Sequence, residues 1–247
     1  ATIPCLPSAA GENLCGRAGC RCRWGQGFCW LLGLCGSLES GIIRVQGAEK
    51  MILSLQGCMA AGKTTAARYL QQHATEIHVS FEDNAAVVQK VKERGLKKDV
   101  YEDYLEIQRL YILHEIQRHE RVSRYSNVVM DFGAEEIEFY TLDYPKAMGK
   151  TWEISGPLKR ELAMLRECMP DKIVFLEAEE KILRQRKEKD GTRSRRFFDF
   201  YVQSLLPLKR EWFRGREDVV FLDTSHLTSQ ETGEQVKALV GKIFAGV

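Results

Sequence analysis

The sequence predicts an α/β fold: a five-stranded parallel sheet with helices on both faces and a basic lid beside it. Three observations predict this. Short apolar segments alternate with helical segments from Met51 to the C-terminus, and such alternation builds a mostly parallel sheet covered by helices. The first apolar segment, residues 51–56, runs into a glycine-bounded loop and then a helical segment. A later apolar segment, residues 127–131, ends in the carboxylate of Asp131. In sheets of this kind ligands sit beyond the carboxyl ends of the strands.

The chain has 247 residues, 44% hydrophobic and 28% charged, with a formal charge of +2. That length can bury a substantial core. The composition excludes collagen and wholly disordered chains. No apolar stretch reaches the ~18 residues of a membrane span, so no membrane partner is expected. The small net charge gives no reason to expect nucleic acid as a partner.

Six of the eight cysteines fall in the first fifty residues: Cys5, Cys15, Cys20, Cys22, Cys29 and Cys35. That segment shows no sustained helical or strand period. Its basic residues Arg17, Arg21 and Arg23 come too late for an ordinary secretory signal. Its cysteine spacings, without a histidine, fit structural zinc poorly. No methionine precedes Met51, where the buried-strand pattern begins. Residues 1–50 are therefore expected to be an unstructured leader, vector-derived or from an upstream reading frame, and 51–247 the working domain. The two remaining cysteines, Cys58 and Cys168, suit a reducing cytoplasm.

The elements follow in order. Residues 51–56 form the first strand. Gly57-Cys58-Met59-Ala60-Ala61-Gly62-Lys63-Thr64-Thr65 comes next, before a helical run. This is G-x-x-x-x-G-K-[ST] between strand and helix, the setting of a phosphate-binding loop. The glycines allow backbone angles and close approach that a Cβ forbids. Successive N–H groups, those of Ala60 and Ala61 among them, and the helix N-terminus can then face a phosphate. Lys63 is placed to reach the β- and γ-phosphates, and the Thr64 hydroxyl to ligate Mg²⁺. The second strand covers 76–80, a helix 85–93, and a long helix 100–124 with an apolar stripe. The third strand is 127–131. Helices at 134–140 and 157–168 lead to the fourth strand, 171–176. Basic helical segments follow to about Trp212, then the fifth strand, 219–222, and a last helix, 229–244.

The residues after each strand should converge near the triphosphate. Asp131 has the position of a Mg²⁺-organising carboxylate, or of a cap for the next helix. Glu82 could accept a proton from a substrate hydroxyl, or cap the turn in which it sits. Residues 181–196 carry eight basic and two acidic side chains. They read as a mobile lid closing on phosphates, as a solvated helix face, or as a nucleic-acid patch. The last reading lacks interleaved aromatics. Gln108 is a polar residue within the stripe of the long helix and could read the edge of a base.

Together these residues resemble the P-loop kinases of nucleosides and nucleotides, nearest the deoxynucleoside kinase and thymidylate kinase group. The resemblance runs from Met51 to the C-terminus. It rests on residues 57–65, Phe81-Glu82, residues 107–111, Asp131, residues 175–178 with the arginine-rich helix behind them, and Phe200-Tyr201-Val202 to Trp212. It implies ATP and Mg²⁺ on the loop and Glu82 as the base. It makes Gln108 the reader of a nucleobase, with Tyr111 beside it in the substrate site. Arg184 and Arg186 become lid arginines, with Arg193 and Arg195 as alternatives. A homodimer through the long helix is implied in the same way.

Two departures bear on the acceptor. Nucleoside kinases usually carry an arginine after the acid that ends strand three, and here Phe132 follows Asp131. Thymidylate kinases usually carry Asp-Arg after strand two, and here no arginine lies between Ala74 and Lys92. Burying a monophosphate without an arginine is unfavourable. The expected activity is thus ATP- and Mg²⁺-dependent phosphoryl transfer to a hydroxyl, a nucleoside 5′-hydroxyl being favoured. The alternatives are a nucleoside monophosphate kinase, a small-molecule or antibiotic phosphotransferase, or a nucleotide-binding regulatory ATPase. A guanine-reading switch normally shows D-x-x-G and N-K-x-D segments, and neither occurs.

Overall fold

The computed structural model describes residues 50–189 and 195–246. The leader expected at 1–50 and the lid residue Arg193 lie outside the described residues, save for Lys50. Five strands form one sheet: β1 (Met51–Gly57), β2 (His78–Ser80), β3 (Asn127–Asp131), β4 (Lys172–Glu177) and β5 (Val219–Asp223). All pairings are parallel, in the order β2-β3-β1-β4-β5. The helices are α1 (Lys63–His73), α2 (Ala85–Glu93), α3 (Tyr101–Val122), α4 (Ala134–Ala147), α5 (Lys159–Arg166), α6 (Glu180–Lys189), α7 (Arg195–Phe200), α8 (Leu206–Phe213) and α9 (Ser229–Phe244). A π-helical turn, Tyr201–Leu205, joins α7 to α8.

Both faces of the three central strands, β1, β3 and β4, are buried, as their near-continuous apolar runs require. On one face Leu53, Leu55, Val129, Val174 and Leu176 pack with Ala66, Ala67 and Leu70 of α1 and Val236 and Val240 of α9. Ile173 and Phe175 point the other way, against Phe213 of α8. A second cluster joins Tyr104 and Ile112 of α3 to Leu158, Leu162 and Leu165 around α5.

The chain reverses its lateral direction at β1. β2 and β3 lie to one side of it and β4 and β5 to the other, so a crevice opens at the carboxyl end of β1. The register fixes what lines it. Leu55 pairs with Asp131 and Gly57 with Leu176.

The elements differ from the sequence reading mainly at their ends. β2 begins at His78, because Glu76 and Ile77 are taken into a turn closed by Ile77 N–H donating to Ala74 O at 3.1 Å. α3 is shorter than 100–124 by a residue or two at each end, and α5 is shorter than 157–168. α4 runs seven residues beyond 140, through Pro145. Proline lacks the N–H that would bond the carbonyl of Thr141. The Tyr104 hydroxyl lies 3.1 Å from that carbonyl and 2.9 Å from the carbonyl of Tyr140. The partner lost to proline is supplied by a side chain from α3, and the helix continues.

Candidate active site

The loop after β1 is shaped by two glycines. Gly57 has φ +130°, and a Cβ there would lie 2.1 Å from the carbonyl oxygen of Leu176. Gly62 has φ +101° and forms the N-cap of α1 without a side-chain cap. Ala60 is also left-handed, at φ 64°. Ala61 turns inward, its N–H donating to Cys58 O at 3.2 Å. The first turn of α1 carries no acidic residue, and the leading N–H groups of a helix have no partner within it. The result is an uncapped, positive helix end facing a cleft of about 760 Å³. Ala60, Gly62, Lys63, Thr64 and Thr65 line that cleft, while Gly57 and Ala61 sit behind them and set the loop's path.

Lys63 is buried and donates to Gly57 O at 3.1 Å and Cys58 O at 2.7 Å. Its Nζ lies 4.5 Å from the centre of the Phe132 ring. Burial, and then the charge of Lys209, push its pKa down to about 8, against the opposing pull of Asp131, Cys58 and Glu136. Cys58, beside it, is raised to about 11 by burial.

Thr64 donates its hydroxyl to Asp131 Oδ2 at 2.8 Å. The other oxygen, Asp131 Oδ1, is buried and has no hydrogen-bond partner among the described residues. A hydroxyl and a carboxylate with a spare buried oxygen at the phosphate loop fit Mg²⁺. That ion is usually held by one or two protein oxygens, the rest coming from water and substrate phosphates. The described residues hold no cluster of three or more His, Cys, Asp or Glu suited to binding a metal.

A second cleft, of about 440 Å³, adjoins the first and shares Thr64 and Arg68 with it. Phe81, Glu82 and Asp131 line it, facing Arg68, Gln71 and Gln72 of α1. Glu82 Oε1 accepts from Asn84 Nδ2 at 2.6 Å. Tyr111 stands near, its phenol raised by burial and then by the charge of Glu82. Gln108 is buried between α3 and α4, where its Oε1 accepts from the Thr141 hydroxyl at 2.9 Å. The structure thus gathers the loop, Asp131 and Glu82, with Tyr111 close by, and holds Gln108 against α4.

Arg184 and Arg186, expected from the sequence to be lid arginines, part company. Arg186 lines the first cleft and donates to Thr224 Oγ1 at 3.1 Å, Thr224 O at 2.5 Å and Leu227 O at 3.0 Å. It ties α6 to the loop between β5 and α9. Arg184 is paired with Asp199 at 2.6 Å and Glu180 at 2.8 Å and is not among the residues lining either cleft. Lys187 and Lys189, further along α6, do line the first cleft.

Sequence reasoning missed several residues at the site. Arg118 is buried on α3 and donates to Ser80 O at 3.0 Å, Asp131 O at 3.2 Å and Phe132 O at 2.9 Å. It clamps the ends of β2 and β3 together and pairs with Glu115 at 2.9 Å. Burial raises Glu115 to about 7 in spite of that arginine. Lys209, from α8, is wholly buried against Glu136. The available signal was a charged residue on a buried stripe: Glu115 and Arg118 share the inward face of α3 with Tyr104, Gln108 and Ile112.

No protein-family model matches the sequence, and no curated protein matches it significantly. The fold is similar to solved structures. A thymidylate kinase from Candida albicans matches with a TM-score of 0.56 at 12% identity, over 80% of this chain and 93% of that one. A deoxyadenosine kinase from M. mycoides with bound dCTP matches with a TM-score of 0.59 at 14% identity, over 78% of this chain and 100% of that one. The same kinase with dCMP and dCDP bound gives 0.53.

Proposed function

We propose that this chain is an ATP- and Mg²⁺-dependent phosphotransferase that moves the γ-phosphoryl group to a hydroxyl, with a nucleoside 5′-hydroxyl as the favoured acceptor. One observation carries the reading. The cleft holding Glu82 and Asp131 adjoins the cleft of the loop after β1, and the two share Thr64 and Arg68 in their walls. A nucleotide in the larger cleft then presents its last phosphate to an acceptor beside Glu82.

In this reading Lys63 leaves its two loop carbonyls for the phosphates, and the N–H groups at the start of α1 hold the chain of phosphates in place. Thr64 and Asp131 would hold Mg²⁺, which neutralises phosphate charge when bound. Glu82 takes the proton of the acceptor hydroxyl as its oxygen bonds to the γ-phosphorus. The bond from that phosphorus to the bridging oxygen breaks, and ADP leaves. Gln108 would present its amide nitrogen to a base, its carbonyl being fixed by Thr141. Arg186 and the lysines of α6 would face the phosphates as the lid closes. Both described cysteines, Cys58 and Cys168, are free and buried. No helix among the described residues is long and apolar enough to cross a membrane.

A nucleoside monophosphate acceptor is the second reading, and Arg68 favours it. The stretch after β2 lacks an arginine, but the fold brings Arg68 from α1 to the wall opposite Glu82. It makes no hydrogen bond or ion pair with the described residues.

The test is transfer of label from γ-labelled ATP with Mg²⁺ to a panel of nucleosides, nucleoside monophosphates and sugars. Label on a nucleoside, lost in Lys63→Ala and reduced roughly 10²–10⁴-fold in Glu82→Gln, supports the first reading. Label on a monophosphate, lost in Arg68→Ala, supports the second. ATP binding without any labelled product overturns both.

A further inference from the structure

Lys209 has the wrong chemistry for its position. The inward stripe after the lid runs through Tyr201, Val202, Leu205, Leu206 and Phe213, all buried, and Lys209 occupies a core place within it at 0% exposure. The π-helical turn just before α8 sets this phase, since its wider winding rotates every later side chain relative to a continuous α-helix. Burying an ammonium demands a partner. Glu136 of α4 supplies one at 2.5 Å, and the rings of Phe132 and Phe139 lie 5.0 and 5.7 Å from the Nζ. A buried ion pair is seldom more stabilising than well-packed apolar side chains of the same size, so stability alone does not explain it.

The place of the Nζ does. It lies 3.5 Å from Gly57 O, the carbonyl to which Lys63 donates at 3.1 Å. Both ammoniums face the same Phe132 ring. Two like charges are thus gathered on one carbonyl in a low-dielectric floor, where their repulsion is little screened. Only one of them is on the segment that lines the cleft.

We propose that Lys209, held by Glu136, is a positioning residue of the phosphate loop: it secures the Gly57 carbonyl and, as a second ammonium there, displaces Lys63 toward an incoming polyphosphate. The inference rests on the ATP-binding reading above. Lys63 is the residue acted upon, and the titratable groups around it are Lys209, Asp131, Cys58 and Glu136.

The test uses the full chain and measures ATP affinity by calorimetry together with thermal unfolding. The paired variant Lys209→Met/Glu136→Gln removes both charges at near-constant shape. It is expected to unfold near the wild-type temperature yet bind ATP on the order of tenfold more weakly, within the range by which contacting residues couple. In a Lys63→Met background the same pair of changes should weaken binding much less, because only the hold on the Gly57 carbonyl is then lost. An equal loss in both backgrounds, or wild-type affinity in the paired variant, overturns the proposal. A second measurement needs no variant. In a crystal of the wild-type protein with a non-hydrolysable ATP analogue, Lys63 should have left Gly57 O while Lys209 remains on it. Lys63 still on that carbonyl, or Lys209 gone from it, overturns the proposal as well. Wild-type protein that binds no ATP overturns the function reading and this inference with it, whereas tight binding in the paired variant sinks the inference alone.

Discussion

At the scale of single residues, the loop after β1 carries a lysine whose pKa is lowered by burial and then by Lys209. Lys63 sits at about 8 because burial and Lys209 disfavour its charge. Only the ammonium form attracts a triphosphate, and a bound triphosphate in turn favours the ammonium. Below about pH 8 the free protein already carries that charge. As pH rises through 8 the free protein loses its proton while the complex keeps it, so ATP affinity should fall. The decline should approach tenfold per pH unit, the value for one linked proton, until the complex titrates too. Calorimetry between pH 7 and 9.5 measures it, and Lys63→Met should show no such limb. Neither the lowered pKa nor its cause was legible in the sequence. The residues from Gly57 to Thr65 were, because a contiguous motif needs no tertiary information. Asp131 and Glu82 were found by counting to the ends of strands. Arg68, Arg118 and Lys209 reach the same place by helix phase and crossing, which one-dimensional spacing does not encode.

At the scale of elements, α3 packs against α4, and one hydroxyl of α3 meets two carbonyls of α4. Pro145 strips the carbonyl of Thr141 of its helical donor, and Tyr104 stands in for it. The same carbonyl-bearing residue holds Gln108 through its side chain. Tyr104→Phe should therefore destabilise the fold by about 1–3 kcal/mol, the range for leaving a buried polar group unpaired. Restoring the missing donor gives a sharper check. Pro145→Ala returns an N–H to α4, so in the Tyr104→Phe background it should recover part of the loss in urea unfolding. If Pro145→Ala worsens the variant instead, the carbonyl was not the reason. The sequence placed α4 correctly at its start and ended it near 140, because rescue of an interior proline by another helix leaves no local trace. By contrast α2, β3 and α9 match their expected bounds. α9 carries a capping box between Thr228 and Glu231, whose pairing is local.

At the scale of the whole molecule, the larger cleft is assembled from segments distant in sequence. The loop after β1, the basic face of α6 and the start of α9 all line it. Arg186 bonds the loop after β5, and Thr224 donates to Ala61 O at 3.2 Å. A nucleotide touching all three segments should therefore stabilise the fold as a unit, since a ligand that binds only the folded state shifts unfolding by mass action. At a hundred times its Kd the gain is about 2.7 kcal/mol. For a domain of this size, that corresponds to a rise in Tm of roughly 5–10 °C. Differential scanning fluorimetry with ATP and Mg²⁺ measures it, and Lys63→Ala should lose most of the shift. The same measurement tests the proposed leader. If residues 51–247 are the working domain, a chain beginning at Met51 should unfold in one transition and gain the same shift as the full chain. A smaller shift in the shorter chain would give the first fifty residues a share in the nucleotide site. An equal shift without phosphoryl transfer to any hydroxyl would separate nucleotide binding from catalysis. It would leave the second cleft, with Glu82 and Arg68 on opposite walls, as the part of the molecule whose chemistry had been misread.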